Sequence, residues 1–259
     1  MGLESKIKIF ESGKDCGIFS RHKKFYPPKT TKKVRTKLFN EVKDRIGKKY
    51  GFDGKNIFQA YQKAENNNIQ YEDGKYIVIK DKYMRSKDYW YKTLYADILI
   101  ISDKYPNVVV GNQMADCPII IVEDRKKGVT ALSHCGTSYI DRYLPKQTVE
   151  SLIKEYNSNV DDLYVYVGSC AKKEKYIYDK YPEWATHKDV WDGFIIKEGK
   201  DYHIDMNGAI RKQLEDIGIK HIEESKIDTM SDDRYYSHRA SAKGNKDKHG
   251  QNFVGFYYK

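Results

Sequence analysis

The sequence has 259 residues and is 39% hydrophobic and 14% aromatic, which is too apolar for a disordered chain and enough for one full core. Its apolar runs, such as "ADILII" and "PIIIV", are strand-length and far below the ~18 residues that span a membrane, and the N-terminus lacks the features of a signal peptide. The formal net charge of +10 comes from scattered lysines without zinc-finger spacing or an RNA-recognition signature, so it favours a small anionic ligand and no sequence-specific nucleic acid.

The first half of the chain predicts one helix followed by strands. The helix spans 33–47 and is expected to end at Gly47. The residues that share its apolar face at i, i+4 spacing are Val34, Leu38, Val42 and Ile46. "IQYEDGKYIVIKD" predicts a hairpin with Asp73-Gly74 as its turn. Four further short strands are expected at "ADILIIS", "VVVGNQ", "PIIIVE" and "VTALSHC".

The second half predicts two more helices and two more strands. One helix lies within about 145–157, and its shared face consists of Leu144, Val149, Leu152, Ile153 and Tyr156. "DLYVYVGS" returns to strand. Asp205 is the expected N-cap of a helix over 206–217, Gly218 its end, and "FVGFYY" the final strand. The residues of that helix that face inward are Met206, Ile210, Leu214 and Ile217.

The order of these elements predicts the fold class and the organisation of the chain. Strands and helices alternate loosely, with hairpins between them and no linker or internal repeat. We therefore predict a single α/β (α+β) domain over residues 1–259, with mixed β-sheets flanked by helices. The four cysteines show no CxxC spacing, so we expect reduced thiols, a cytoplasmic protein and no membrane partner.

The hairpin formed by "PIIIVE" and "VTALSHC" brings a cysteine and a histidine together. If Arg125 and Lys126 form a two-residue loop, Cys117 lies opposite His134 with Cβ atoms ~5 Å apart. A loop one residue longer would place Cys135 opposite Cys117 instead. The facing pair can be a nucleophile and its base, two ligands of a zinc site, or two ordinary core residues.

Several stretches, taken in chain order, match one known pattern. "ADC" is followed by an apolar strand and then by "HCG", whose histidine lies seventeen residues past the cysteine. The other stretches are "GIFSRHKKF", "ADILIIS", "VGSCAKKEKYIY", "HIDMNGAIRKQLEDIGI" and "YYSHRASAKGNKDKHGQN". Together they resemble the laccase-domain family, also called multicopper polyphenol oxidoreductases, in which Ala-Asp-Cys precedes His-Ala-Gly-Trp-Arg-Gly. The resemblance covers most of the chain.

The resemblance implies a fold, an activity and a cofactor. It implies the laccase-domain fold and a purine nucleoside enzyme, chiefly for phosphorolysis of adenosine and inosine with some deamination. Some members are also called peptidoglycan editing factors. The family holds zinc with two histidines and the cysteine, so Cys117 and His134 are the implied metal ligands here. Zinc is therefore the cofactor that the resemblance implies. Tyr61 replaces the first histidine, and a phenol with a pKa near ~10 is a poor zinc ligand, so the implied site lacks one of its three ligands.

The resemblance also implies the residues that surround the ligand. They are Tyr61, Gly136, Ser138, Cys170, Ser237, His238 and Arg239. Arg239 is the implied contact to an anion or a base, and Tyr61 either stacks on a purine or fills the space of the absent imidazole. Two family arginines are replaced, by Ser138 and by Gln251. Their loss removes bidentate partners for phosphate.

Three function classes follow, and we favour the first. In the first, which the resemblance implies, we expect a purine nucleoside-processing enzyme that uses Cys117 and His134 for phosphorolysis or hydrolysis of the N-glycosidic bond or for deamination, with a nucleoside or nucleotide and phosphate as its small-molecule partners. Alternatively, it is a catalytically degenerate member that binds or sequesters such a ligand. A third alternative is a Cys/His hydrolase or amidase for another substrate. Copper oxidase chemistry is excluded because its sites need clustered histidines in HxH-type spacing.

Overall fold

The computed structural model describes residues 4–20, 23–60, 64–65, 68–69, 75–80 and 93–259. Its strands are β1 (Ile7–Ser12), β2 (Ile57–Ala60), β3 (Ala64–Glu65), β4 (Asn68–Ile69), β5 (Tyr76–Val78), β6 (Thr93–Leu94), β7 (Ile98–Ser102), β8 (Val109–Met114), β9 (Ile119–Asp124), β10 (Val129–His134), β11 (Leu163–Val167), β12 (Ile177–Tyr178), β13 (Ile195–Glu198), β14 (Asp201–Ile204), β15 (His221–Glu224) and β16 (Asn252–Tyr258). Its α-helices are α1 (Lys32–Tyr50), α2 (Thr137–Asp141), α3 (Leu144–Tyr156), α4 (Lys188–Trp191), α5 (Met206–Asp216) and α6 (His238–Ala242).

Two mixed sheets form the centre of the protein, which confirms the predicted α/β class. One has five strands in the order β1-β16-β8-β2-β6, and the other has six in the order β15-β11-β9-β10-β7-β5. Strands β12, β14 and β13 form a small third sheet, and β3 pairs with β4. Helix α1 packs on the outer face of the five-stranded sheet, and α3 and α5 pack on the outer face of the six-stranded sheet.

Strand β9 shows why its sequence is a continuous apolar run. Ile119 and Ile121 face the five-stranded sheet, whereas Ile120 and Val122 face the layer of helices. Each of these side chains is at most 1% exposed. A strand covered on both faces needs apolar residues at every position rather than at alternate ones. The run that precedes the candidate site is therefore the central strand of a layered core.

Helix α1 departs from its prediction at both ends of the apolar face. The helix continues to Tyr50 and ends at Gly51, whose φ of 86° and N–H bond to the carbonyl of Gly47 form a left-handed cap. Position 47 lies inside the helix and needs a glycine for another reason, because a Cβ there would come within 2.4 Å of a backbone oxygen. Val34 and Leu38 are exposed, so the buried stripe begins one turn later, at Phe39.

The two later helices follow their prediction closely. In α5, Asp205 accepts a hydrogen bond from the N–H of Gly208, and Gly218 follows with a φ of 92°. Helix α3 buries Leu144, Val149 and Leu152, whereas Ile153 is 36% exposed. The predicted Asp73-Gly74 turn lies outside the described residues. Within the described part of the chain, no helix is long and apolar enough to cross a membrane.

Candidate active site

The turn between β9 and β10 sets the geometry of the predicted Cys–His pair. The turn has four residues rather than two, because the Asp124 carboxylate accepts hydrogen bonds from the N–H groups of Lys126 and Lys127. The resulting register pairs His134 with Ile119, so the predicted pairings of Cys117 with His134 or with Cys135 are both wrong. Cys117 lies two residues before β9, outside the paired residues, and extending the register would place it opposite Gly136, two residues beyond His134.

Cys117 faces the start of helix α2. A Cβ built on Gly136, the residue before the helix, would lie 3.3 Å from the Cys117 sulfur. The N–H of Thr137 donates a hydrogen bond to this sulfur. Burial, with Asp116 and Cys170 nearby, nevertheless raises the pKa of Cys117 to about 12. The side chain is therefore a neutral thiol at neutral pH, and it can act as a weak hydrogen-bond donor.

His134 presents a buried nitrogen without a partner. The residue is partly exposed, but its Nε2 atom is buried and has no hydrogen-bond partner. Burial lowers the pKa of His134 to about 4, so its imidazole is neutral at neutral pH. Cys117 and His134 are thus two neutral groups rather than a thiolate and an imidazolium. A neutral imidazole with an unsatisfied nitrogen can accept or donate one hydrogen bond to a ligand.

Asp116 is a site residue that the sequence alone did not indicate. It is 3% exposed and has a φ of 91°, in the left-handed region that non-glycine residues seldom adopt. Its carboxylate accepts hydrogen bonds from the Thr229 hydroxyl at 2.7 Å and from the N–H of Arg239 at 2.6 Å. Its carbonyl accepts one from the N–H of Ala171 at 2.9 Å. Asp116 therefore joins three distant segments directly beside Cys117.

Arg239 lies against aromatic rings at this junction. Its guanidinium carbon is 3.9 Å from the centre of the Tyr178 ring, and one terminal nitrogen donates to the carbonyl of Ile177. Its Nε atom is buried and has no hydrogen-bond partner. Burial, with Cys117 and Tyr178 nearby, raises the pKa of Tyr176 above its usual range. The guanidinium is thus a cation with an unsatisfied donor, held by rings that adjoin the candidate site.

The other predicted ligand-binding residues occupy different environments. Cys170 is fully buried, and its thiol donates to the Asn207 side-chain oxygen at 2.9 Å. The Ser237 hydroxyl caps α6 by accepting from the N–H of Ala240. His238 is exposed and Ser138 is half-buried. Tyr61 lies outside the described residues, directly after the end of β2.

The donor set does not fit the zinc site that the resemblance implies. Within the described ranges, no group of three His, Cys, Asp or Glu side chains is arranged to hold a metal ion. The candidate replacements near Cys117 are engaged elsewhere: the Asp116 carboxylate with Thr229 and Arg239, and the Cys170 thiol with Asn207. Structural and catalytic zinc sites use at least three protein ligands, and the remaining position is a tyrosine. We therefore derive no catalytic step through zinc.

Comparisons with known proteins identify the family of the chain and agree with the layered fold. Residues 41–253 match the family described as multi-copper polyphenol oxidoreductase laccase. A purine nucleoside phosphorylase of Clostridium acetobutylicum is 28% identical over 236 residues, which cover 82% of this chain and 94% of that protein. A purine nucleoside phosphorylase of Campylobacter jejuni is 26% identical over 227 residues, which cover 83% of this chain and 92% of that protein.

Two solved structures share the fold. The hypothetical protein YfiH of Bacillus licheniformis superposes with a TM-score of 0.68 at 16% identity, over 86% of this chain and 82% of that one. YlmD of Geobacillus stearothermophilus superposes with a TM-score of 0.69 at 16% identity, over 86% of this chain and 81% of that one. At this identity the similarity concerns the fold, and it confirms the predicted architecture.

Proposed function

The chain belongs to the multi-copper polyphenol oxidoreductase laccase family, and from that premise we propose that it is a purine nucleoside-processing enzyme that cleaves the N-glycosidic bond. The names of the relatives from Clostridium acetobutylicum and Campylobacter jejuni support a nucleoside with phosphate as the substrates. The observation that carries the proposal is the buried, unpartnered Nε2 of His134, which lies two residues before Gly136, the residue that the Cys117 sulfur faces.

Neutral acid–base groups suit this reaction. When the C1′–N9 bond breaks, its electron pair goes to the purine, and an oxygen of phosphate or water forms the new bond at C1′. The neutral imidazole of His134 can take the proton of an attacking water or hold the attacking oxygen by a hydrogen bond. The thiol of Cys117 can donate a hydrogen bond to the departing base. Because the pKa of Cys117 is raised to about 12, the proposal assigns it no nucleophilic attack.

Arg239 is the cation that we assign to the acceptor. Its guanidinium is held against Tyr178, and its unpartnered Nε can hydrogen-bond an oxygen of phosphate. The two arginines that the family pattern has at 138 and 251 are Ser138 and Gln251 in this chain. Arg239 must therefore supply more of the attraction for phosphate here than it would in a chain with three arginines.

Turnover of purified protein tests the proposal. Inosine, adenosine and guanosine are incubated with and without phosphate, and the products are identified by mass spectrometry. We expect free base and ribose 1-phosphate, and a loss of at least ~100-fold in turnover for Cys117→Ala and for His134→Ala. Cys16→Ala and His221→Ala are matched controls, because Cys16 is buried in another cluster and His221 is exposed on an edge strand. Full activity in both site variants would contradict the site assignment.

A degenerate binding protein is the second candidate, and the incomplete donor set favours it. The third metal ligand of the family pattern is Tyr61 here, and no replacement donor is arranged near Cys117 within the described residues. A binder would hold a nucleoside or nucleotide without converting it. Isothermal titration with inosine and with adenosine monophosphate distinguishes the two candidates. Saturable binding with intact ligand after prolonged incubation would select the binder.

A further inference from the structure

The basic stretch "KGNKDKHG" contains a lysine that the fold buries. Lys248 is 1% exposed, although Lys246 in the same short 3-10 helix is exposed. A buried ammonium costs free energy unless hydrogen bonds and charges compensate for its lost hydration.

Lys248 contacts two segments at once. Its Nζ donates to the carbonyl of Thr229 at 3.2 Å and to the carbonyl of Asp232 at 2.6 Å. Its own carbonyl accepts the N–H of Ser237 at 3.0 Å. Its nearest acidic partner, Asp233, is 3.7 Å away and its side chain is 95% exposed, so that pair contributes little in water. The ammonium is thus held mainly by backbone oxygens.

The two segments that Lys248 joins are those that hold Asp116. Thr229 donates its hydroxyl to one carboxylate oxygen of Asp116. Ser237 caps the helix whose second residue, Arg239, donates its N–H to the other oxygen. Asp116 precedes Cys117, and its left-handed backbone conformation requires support from its surroundings. Lys248 therefore acts on the thiol through two intermediates and touches neither the thiol nor the ligand.

We infer that Lys248 is a positioning residue of the candidate active site, which fixes the loops around Thr229 and Ser237 so that Asp116 holds Cys117 in place. The inference rests on the proposed function for its kinetic test. Loss of the ammonium should loosen the loop around Thr229, one of the two donors to Asp116, while the backbone bond between Ser237 and residue 248 remains. A displaced thiol affects the chemical step more than substrate binding, so we expect substitution of Lys248 to lower kcat and to leave KM nearly unchanged.

The test compares Lys248→Met with Lys246→Met, which removes an exposed lysine from the same helix. With inosine and phosphate, we expect Lys248→Met to lower kcat about tenfold while KM stays within about twofold. Lys248→Gln keeps one donor for a carbonyl, so its kcat should lie between those of Lys248→Met and the wild type. This variant also serves where the methionine variant does not fold. Lys246→Met should match the wild type.

A second readout does not depend on turnover. The four thiols are alkylated with iodoacetamide, and the rate at Cys117 is followed by peptide mass spectrometry. We expect the Cys117 rate to change by at least about threefold in Lys248→Met and to stay constant in Lys246→Met. An unchanged kcat and an unchanged alkylation rate in Lys248→Met would overturn the inference. If the wild type leaves inosine intact, the proposed function fails, and the alkylation rates decide about Lys248 alone.

Discussion

Replacement of Asp116 provides a quantitative test of the junction beside Cys117. Asp116→Ala removes the acceptors of two hydrogen bonds, from the Thr229 hydroxyl and from the N–H of Arg239, in a residue that is 3% exposed. Hydrogen bonds to a charged group contribute about 1.5–3 kcal/mol each, so we expect the free energy of unfolding to fall by about 3–6 kcal/mol. Alanine also keeps the unfavourable left-handed conformation at φ 91°.

Two further variants separate the hydrogen bonds from the backbone strain. Asp116→Gly loses the same bonds but relieves the left-handed strain, so it should be about 1 kcal/mol more stable than Asp116→Ala. Asp116→Asn can still accept from Arg239 with its oxygen and donate to Thr229 with its amide, so its loss should be about 1–2 kcal/mol. The exposed Asp179→Ala is the control and should change stability by less than about 0.5 kcal/mol.

Urea unfolding, followed by circular dichroism, measures these differences. The expected order of stability is wild type, Asp116→Asn, Asp116→Gly and Asp116→Ala. If Asp116→Ala lay within about 1 kcal/mol of the wild type, the two bonds would contribute no net stability and the predicted loss would be refuted. If Asp116→Gly were less stable than Asp116→Ala, the left-handed conformation would carry no strain, and that part of the prediction would be refuted.

Three further predictions test the site and its surroundings. Gly136→Ala places a Cβ 3.3 Å from the Cys117 sulfur, so turnover of inosine should fall about tenfold with an unchanged circular dichroism spectrum, and wild-type turnover would contradict the described contact. Burial opposes the shift, but hydrogen bonds from the segment 186–191 lower the pKa of Asp141. The ionised Asp141 therefore stabilises the folded protein above about pH 4, and this stabilisation is lost as the pH falls through the lowered pKa. The difference in unfolding free energy between the wild type and Asp141→Asn should accordingly shrink between pH 5 and about pH 2.5, and a constant difference would refute this linkage. Arg239→Lys should raise the KM for phosphate about tenfold and leave the KM for inosine nearly unchanged, since lysine lacks the planar fork; an effect on inosine alone would assign Arg239 to the base instead.

Local signals in the sequence determined several elements of the fold. Asp205 and Gly218 bound helix α5 as predicted, because a side-chain cap and a left-handed glycine act within a few residues of the helix ends. The C-terminal end of helix α1 was harder to predict, since Gly47 and Gly51 are both plausible ends from sequence alone. The close approach of the backbone at residue 52 explains the first glycine, and that contact is visible only in the folded chain.

In the candidate site, too, the sequence predicted some features and only the fold showed the others. The motif spacing predicted that Cys117 and His134 belong to one site, and this stays a prediction; the fold places His134 at the end of β10 and Cys117 two residues before its partner strand β9. The register between them was not predictable by counting, because the Asp124 carboxylate stabilises a four-residue turn. The roles of Asp116 and Lys248 were not visible at all.

By itself, the sequence determined the apolar runs, the caps of helix α5 and the motifs of the family, since these depend on neighbouring residues. The tertiary structure decided which groups meet at the site. Asp116 and Thr229 are 113 positions apart in the chain, and their hydrogen bond forms only when the sheets and loops have packed. The same packing buries Lys248 inside a stretch whose other lysines are exposed. Burial and long-range hydrogen bonds depend on the whole fold, and no local pattern of residue types encodes them.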